Sequence, residues 1–422
     1  MSDFLIMAIG SHGDVHPFVG IGRALQARGH TVRLAVNPAF ETLVRRAGLA
    51  YLPIGVREDF EAVQRDPSIW HPRLGPVMVM KAIVASLPTV YDTVVANAGP
   101  ATVVVGSSIC IGARVAAEKA GLTMATVHLS PICIRSSHRM PVLPGGLNAN
   151  WLPRFLRSHF WAGADKWFVA PHLDVPLNAF RAEKGMGPVH RVQAGWWHSP
   201  HLTIGLWPEW YFPRQPDYPE QVKLAGFPLY DEAEQSPLDE ELSAWIGDDD
   251  RGDDRPIAFT PGSAMLFGHK FFATAVDACK RLGRRGLLVT RHGEQIPADL
   301  PPTVRHVPFA PFGSLLPRCG AIVHHGGIGT TAQSLRAGIP QIIMPMSHDQ
   351  FDNAAICRRI GVAESVSVRR FTGRRVAKVL RKLLTSSDLT AAGRAVAEKS
   401  AQERPLDRAC GMLEALSFGK TG

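Results

Sequence analysis

AIVHHGGIGTTAQSLRAGIPQIIMPMSHDQFDNA, residues 321–354, is the stretch whose reading decides the fold. Residues 321–323 extend an apolar run of the kind that forms a buried strand. His324-His325-Gly326-Gly327 then turns the chain sharply, because glycine reaches φ > 0 and lets another backbone or a ligand approach closely. Residues 330–337 read as a short helix, with Gly338 just past its end and Pro340 beyond it. Residues 341–346 supply the next strand, and Asp349-Gln350 lies on the loop after it. A strand, tight turn and helix in this order point free backbone N–H groups and the positive end of a helix dipole at one spot, which suits a phosphate.

The full spacing says more than the turn alone. It resembles the donor-binding signature of family 1 glycosyltransferases, which move a sugar from a nucleoside diphosphate sugar. The resemblance implies that His325 contacts the diphosphate, that Gly327, Gly329 and Thr330 bind phosphate oxygens, and that Asp349 and Gln350 bind the sugar hydroxyls. Plant members carry a glutamate three residues after the Ser/Thr, where it holds the ribose. Here Gln333 stands in that place. An amide can bond a ribose hydroxyl but is not a charged acceptor for two, so UDP-sugars and dTDP-sugars both stay open as donors.

The first βαβ unit carries a second motif. An apolar strand, residues 4–9, leads into Gly10-Ser11-His12-Gly13-Asp14-Val15-His16-Pro17, with Pro17 suited to a first helical position. Loops at the carboxyl ends of parallel strands are where open α/β sheets bind ligands. This loop is not the G-x-G-x-x-G of a dinucleotide fold, which argues against an oxidoreductase. It resembles the N-terminal signature of the bacterial, sterol and antibiotic branches of the same family. That resemblance places Asp14 as general base; His12 is the next candidate for that role and His16 a candidate for acceptor contact, each with a loop histidine bonding its own backbone as the other reading. The alternation of His12, Asp14 and His16 also invites a metal reading, but no fourth ligand is in sight and no metal site is expected.

At 422 residues, and with about 150 residues per domain as a guide, the chain holds two or three domains. Composition is that of an ordinary globular protein, 45% hydrophobic and 20% charged. Six scattered cysteines form no C-x-x-C pair, which fits reduced thiols and a cytoplasmic setting. The N-terminal apolar run is too short for a signal peptide, and no run of apolar residues is long enough to predict a transmembrane helix. The net charge of +9 comes without a nucleic-acid motif, so no nucleic-acid partner is expected. A solvated basic surface explains it first. Attraction of an anionic donor, or peripheral association with the inner membrane face, comes second.

Residues 56–100 read as an irregular apolar insert after a strand end, with Trp70, Met78 and Met80 as candidates for an acceptor wall or for plain core. The segment 151–167 adds a run of aromatic residues. An acidic linker, 229–255, contains an Asp-Asp pair that reads as a solvated loop rather than a metal motif. Ser263 follows the first strand of the second half and resembles the loop that approaches the diphosphate. Phe309 stands where a tryptophan would stack on the nucleobase, with core packing as the other reading. The tail from 389 to 418 reads as one long helical pattern.

Two alternating α/β halves joined by a polar linker predict two doubly wound, Rossmann-like domains. The resemblance implies the GT-B arrangement, with those domains facing across a cleft. The expected domains are 1–228 for the acceptor, 240–395 for the nucleotide sugar, and a helical tail 396–422. The phrases DPSIWHP, VHLSP, WWHSP and GFPLYD resemble bacterial rhamnosyltransferases of glycolipid synthesis. The expected activity is inverting, metal-independent transfer of a hexose such as rhamnose or glucose to a hydroxyl of an apolar acceptor, with no cofactor beyond the sugar nucleotide. A GT-B epimerase or phosphorylase, and a nucleotide-sugar-binding protein without catalysis, are the alternatives.

Overall fold

The structure, a computed structural model, describes residues 1–232, 237–247 and 254–419. Two compact units divide the chain. One comprises Met1–Pro228 together with the tail from Arg404, and the other Leu229–Glu403.

The first unit is built on seven parallel strands: β1 (Asp3–Met7), β2 (Thr31–Val36), β3 (Ala50–Pro53), β4 (Thr102–Ser107), β5 (Thr123–His128), β6 (Leu202–Gly205) and β7 (Val222–Leu224). Their order is β3-β2-β1-β4-β5-β6-β7. Val103, Val104 and Val105 of β4 are fully buried, as expected of a strand covered on both faces. The second unit holds β8 (Ile257–Thr260), β9 (Gly286–Val289), β10 (Val304–Val307), β11 (Ala321–His324), β12 (Gln341–Ile343) and β13 (Ala363–Ser365). Their order is β10-β9-β8-β11-β12-β13, again all parallel. In each sheet the winding reverses once, between β1 and β4 and between β8 and β11. Those two switch points are where open α/β sheets leave a crevice.

Three local expectations are corrected. The first helix runs His12–Ala27 and contains Pro17, rather than starting at it. Ser11 caps it, so the missing N–H of Pro17 costs a single early bond. Residues 56–100 are not irregular: they form a helix Arg57–Arg65, a 3₁₀ turn Pro67–Trp70 and a helix Gly75–Asn97. β-Branched residues and an internal Pro88 disguise the last of these in the sequence. By length and composition this helix could cross a membrane, but Met80, Ile83, Leu87, Val90 and Val94 pack into the core of the first unit. Gly112 permits that packing, since a Cβ there would lie 2.5 Å from the Leu87 carbonyl oxygen.

The tail is two helices, Ser387–Gln402 and Pro405–Phe418. Pro405 separates them. The first packs in the second unit, where Gly393 meets Gly338 so closely that a Cβ on Gly393 would sit 2.2 Å from the Gly338 oxygen. The second lies on the His12–Ala27 helix, tied by Arg28 to Asp407 at 2.6 Å and to Glu414 at 3.0 Å. The changeover therefore falls at 403–404 rather than at 396.

Candidate active site

The donor-type turn sits at the switch point of the second sheet. β11 ends at His324, Gly326 takes φ +96°, and the helix Ile328–Ala337 begins with Gly327 as its N-cap. A glycine cap has no side chain to offer, and the first N–H groups of a helix have no intrahelical acceptor. His325 is 9% exposed, and its Nδ1 is buried without a hydrogen-bond partner. Its ring lies between two glycines: a Cβ on Gly262 would be 2.6 Å from Cε1, and one on Gly327 would be 2.5 Å from Nε2. Gly262, at φ +99°, belongs to the loop after β8. That loop therefore reaches the turn, carrying exposed Ser263 beside it.

His324 has a different task. Gly326 N–H donates to its Nδ1 at 3.2 Å, so the proton sits on Nε2, which donates to Gln341 Oε1 at 3.0 Å. Burial lowers its pKa to about 4. Burial, then His324 and His348, lower that of His325 to about 3. Both rings are neutral at physiological pH. A neutral imidazole can still donate one N–H to a phosphate oxygen.

The sugar-type loop follows β12. His348 takes φ +56°, an uncommon conformation for a side chain of this size, and Asp349 is the N-cap of the helix Gln350–Arg359. Gln350 is turned inward: its Oε1 accepts from Met346 N–H at 2.8 Å and Ser347 N–H at 3.2 Å. Only its amide NH₂ remains to be offered to a sugar. Asn353, unforeseen in the sequence, joins the two loops. Its Nδ2 donates to the Gly326 carbonyl at 2.9 Å and to Asp349 Oδ2 at 2.8 Å, and the side chain is fully buried. Its spacing of four from Asp349 on a helix was the available signal. Gln333 lies in the helix behind the turn, largely buried. Phe309, just past β10, is partly exposed with the Arg291 guanidinium 5.0 Å from its ring centre.

In the first unit the carboxyl end of β1 meets its own switch point. Asp14 is the third residue of the helix, and its Oδ2 accepts from Ser11 N–H at 2.7 Å and Ser11 Oγ–H at 2.9 Å. The carboxylate folds back over Gly10, where a Cβ would stand 2.5 Å from it. That contact, with φ +124° at Gly10, explains the glycine. Burial raises the Asp14 pKa above the ordinary carboxylate value, outweighing the two Ser11 bonds that lower it. His12 and His16 are partly exposed, with ring centroids 5.7 Å apart, and His12 meets Phe40 at 4.9 Å. Trp70 and Met78 are partly buried, whereas Met80 is 3% exposed and belongs to the core, not to a wall.

Among the described residues no group of three His, Cys, Asp or Glu side chains is arranged to hold a metal ion. Asp248, Asp249, Asp250 and Asp253 of the linker lie outside the described residues.

Comparison with known proteins agrees with this layout. Residues 4–136 match the glycosyltransferase family 28 N-terminal domain. Residues 287–416 match the erythromycin biosynthesis protein CIII-like C-terminal domain. The O-mycaminosyltylonolide 6-deoxyallosyltransferase of Streptomyces fradiae is 28% identical, over 97% of this chain and 96% of its own. The glycosyltransferase of kitacinnamycin superposes with a TM-score of 0.74 at 19% identity, covering 98% of both chains. The spinosyn rhamnosyltransferase SpnG complexed with thymidine diphosphate gives 0.69 at 19% identity, over 96% of this chain and 98% of its own. The protein is a glycosyltransferase of the GT-B fold. Within that class its N-terminal part matches the family 28 N-terminal domain and its C-terminal part the EryCIII-like C-terminal domain.

Proposed function

We propose that the chain transfers a deoxyhexose, rhamnose among the candidates, from a dTDP-sugar to a hydroxyl of an apolar, polyketide-like or lipid acceptor, in the cytoplasm. The observation that carries this is the uncapped N-terminus of the Ile328–Ala337 helix with the unpartnered His325 beside it. Diphosphate oxygens would take the N–H groups of Ile328, Gly329 and Thr330, and an imidazole N–H of His325. Phe309 would stack on the base and Gln333 would meet the ribose. Glutamine at 333 favours dTDP, whose deoxyribose has one hydroxyl fewer. The Streptomyces relative and the thymidine-diphosphate complex, each named for a deoxysugar transfer, support the same choice. Asp349 and the Gln350 amide would hold the sugar hydroxyls.

The reaction read from these groups is a single displacement. The acceptor oxygen bonds to the anomeric carbon, the bond from that carbon to the diphosphate breaks with its electron pair leaving on phosphate, and the acceptor proton passes to Asp14. Attack from the face opposite the diphosphate inverts the anomeric centre. A raised Asp14 pKa makes the carboxylate a better base. The helix N-terminus and His325 stabilise the charge gathering on the leaving group, a role that needs no metal ion.

Incubation with dTDP-rhamnose, dTDP-glucose and UDP-glucose tests this, each with and without a macrolide aglycone or a hydroxy-fatty acid. The expected result is faster nucleotide release with a dTDP-sugar plus acceptor, and a product whose anomeric configuration is opposite to that of its donor. An epimerised sugar nucleotide, or no release from any donor, would overturn the proposal.

A further inference from the structure

Between Glu118 and Glu183 the sequence contains only two acidic residues, Asp165 and Asp174. Both are buried, at 5% and 8% exposure, and Asp165 is paired with Arg135 and Arg191. The same stretch exposes Trp151 (80%), Phe155 (65%), Trp167 (74%) and Val175 (65%). Isolated exposed apolar residues are ordinary, but several large ones on one element mark an interaction surface.

These residues are presented by a rigid platform. A helix runs through Arg154–Ala164, a π-helical stretch Asp165–Asp174 and a final segment Val175–Glu183. Exposed positions 155, 159, 162 and 166 recur at intervals of three and four, and 166, 171 and 175 continue the stripe through the π turns. The i→i+5 geometry keeps one face outward where an α-helix would rotate it away. The preceding loop is fastened down: Arg157 donates to the carbonyls of Leu152 at 2.8 Å and His138 at 2.8 Å, and Asn150 exchanges two bonds with the Met140 backbone. Trp161, Met140 and Ala149 form a small core beneath. Trp151 is thus held out in water by a built structure.

The charges on this face are basic. Arg154 and Lys166 are exposed, and the Lys166 ammonium lies 4.7 Å from the Trp167 ring centre. The adjoining Gly75–Asn97 helix adds one exposed charge of each sign, Lys81 and Asp92. Exposed indole rings, Trp167 beside Lys166 and Trp151 just ahead of the helix, with no exposed carboxylate between Glu118 and Glu183, match the headgroup zone of a bilayer. There the rings sit at the apolar boundary and the cations meet lipid phosphate.

We infer that the Trp151–Val175 face docks the protein on an anionic membrane surface. Such docking would bring the enzyme to acceptors that partition into lipid. Co-sedimentation of the full-length protein with phosphatidylcholine vesicles, with and without an equal part of phosphatidylglycerol, tests it. Binding is expected only with the anionic lipid, falling as salt is raised. A Trp151→Ser, Phe155→Ser, Trp167→Ser triple variant should lose about tenfold or more of it, and Arg154→Gln and Lys166→Gln roughly fivefold each. Absence of binding to anionic vesicles would overturn the inference, as would equal binding by the triple variant. Self-association that the triple variant abolishes, or a raised KM for a dissolved acceptor without vesicle binding, would assign the face to a second copy or to the acceptor instead.

Discussion

The two switch points carry the same local device with opposite endings. After β1 and after β11 a glycine-rich turn feeds directly into a helix N-terminus. In the first unit that positive end is filled from within, because Asp14 folds back onto Ser11. In the second it is left open, because Gly327 has no side chain and His325 has a buried nitrogen without a partner. A helix end that supplies its own carboxylate holds a base in place. A helix end that supplies none is built for an anion brought by substrate. In the proposed mechanism this difference in side chains assigns proton transfer to the first end and donor binding to the second.

The largest expected effect comes from the filled end. Asp14→Asn keeps the shape and much of the capping but removes the basicity, and should lower kcat by about 10² to 10⁴. Donor affinity and the folded state should survive, as read by nucleotide titration and by the melting curve. Turnover near wild type would mean that the carboxylate only caps its helix, and His12 would be the next base to test. The same group sets an acid limb: the rate should fall with decreasing pH through a midpoint above the usual carboxylate range, since burial raises the Asp14 pKa.

At the open end, His325→Ala should weaken dTDP binding by about tenfold or more, the cost of a charged hydrogen bond. Gly327→Ala should act in the same direction, because the new Cβ would occupy the space of the His325 ring. Unchanged binding in both would show that the turn does not hold the diphosphate.

Asn353→Ala should have a smaller effect with a particular signature. Releasing Asp349 from the turn should cost more affinity for the sugar nucleotide than for dTDP alone, and should be non-additive with Asp349→Ala in a double-mutant cycle. Equal losses for both ligands would reduce Asn353 to a fold-supporting residue.

Both units also bury neutral histidines. His324 and His198 are lowered to about 4, His325 to about 3, and His128 well below its ordinary value, each chiefly by burial. In the unfolded chain these groups titrate near ~6.5. Their contribution is therefore complete above that pH and is lost progressively as pH falls toward about 4, as unfolded chains take up protons that folded ones refuse. Denaturant midpoints from pH 7.5 to 4.5 would check this, and a flat profile would contradict it.

The legible parts of the fold were those written in local chemistry. Glycines at the β11 turn, the Gly338 helix end and the valine run of β4 each follow from backbone or burial rules a short window can express. What escaped depended on distant partners. Pro17 suggested a helix start, but Ser11 had already begun the helix. Pro88 and its β-branched neighbours hid a helix that stands because its face is buried in the first unit. Asn353 gains its meaning only when Gly326 and Asp349 are brought to either side of it. The aromatic segment 151–167 stands in the sequence beside the candidate acceptor wall, yet its Trp151 and Phe155 project into solvent.

Hydrogen exchange with and without dTDP tests the contrast between the two helix ends most directly. Nucleotide is expected to slow exchange most at the N–H groups of Gly327–Thr330, with the loops carrying Ser263 and Asp349 next, and to leave the already capped Ser11–Val15 segment nearly unchanged. Protection centred on Ser11–Val15, with none at Gly327–Thr330, would contradict it.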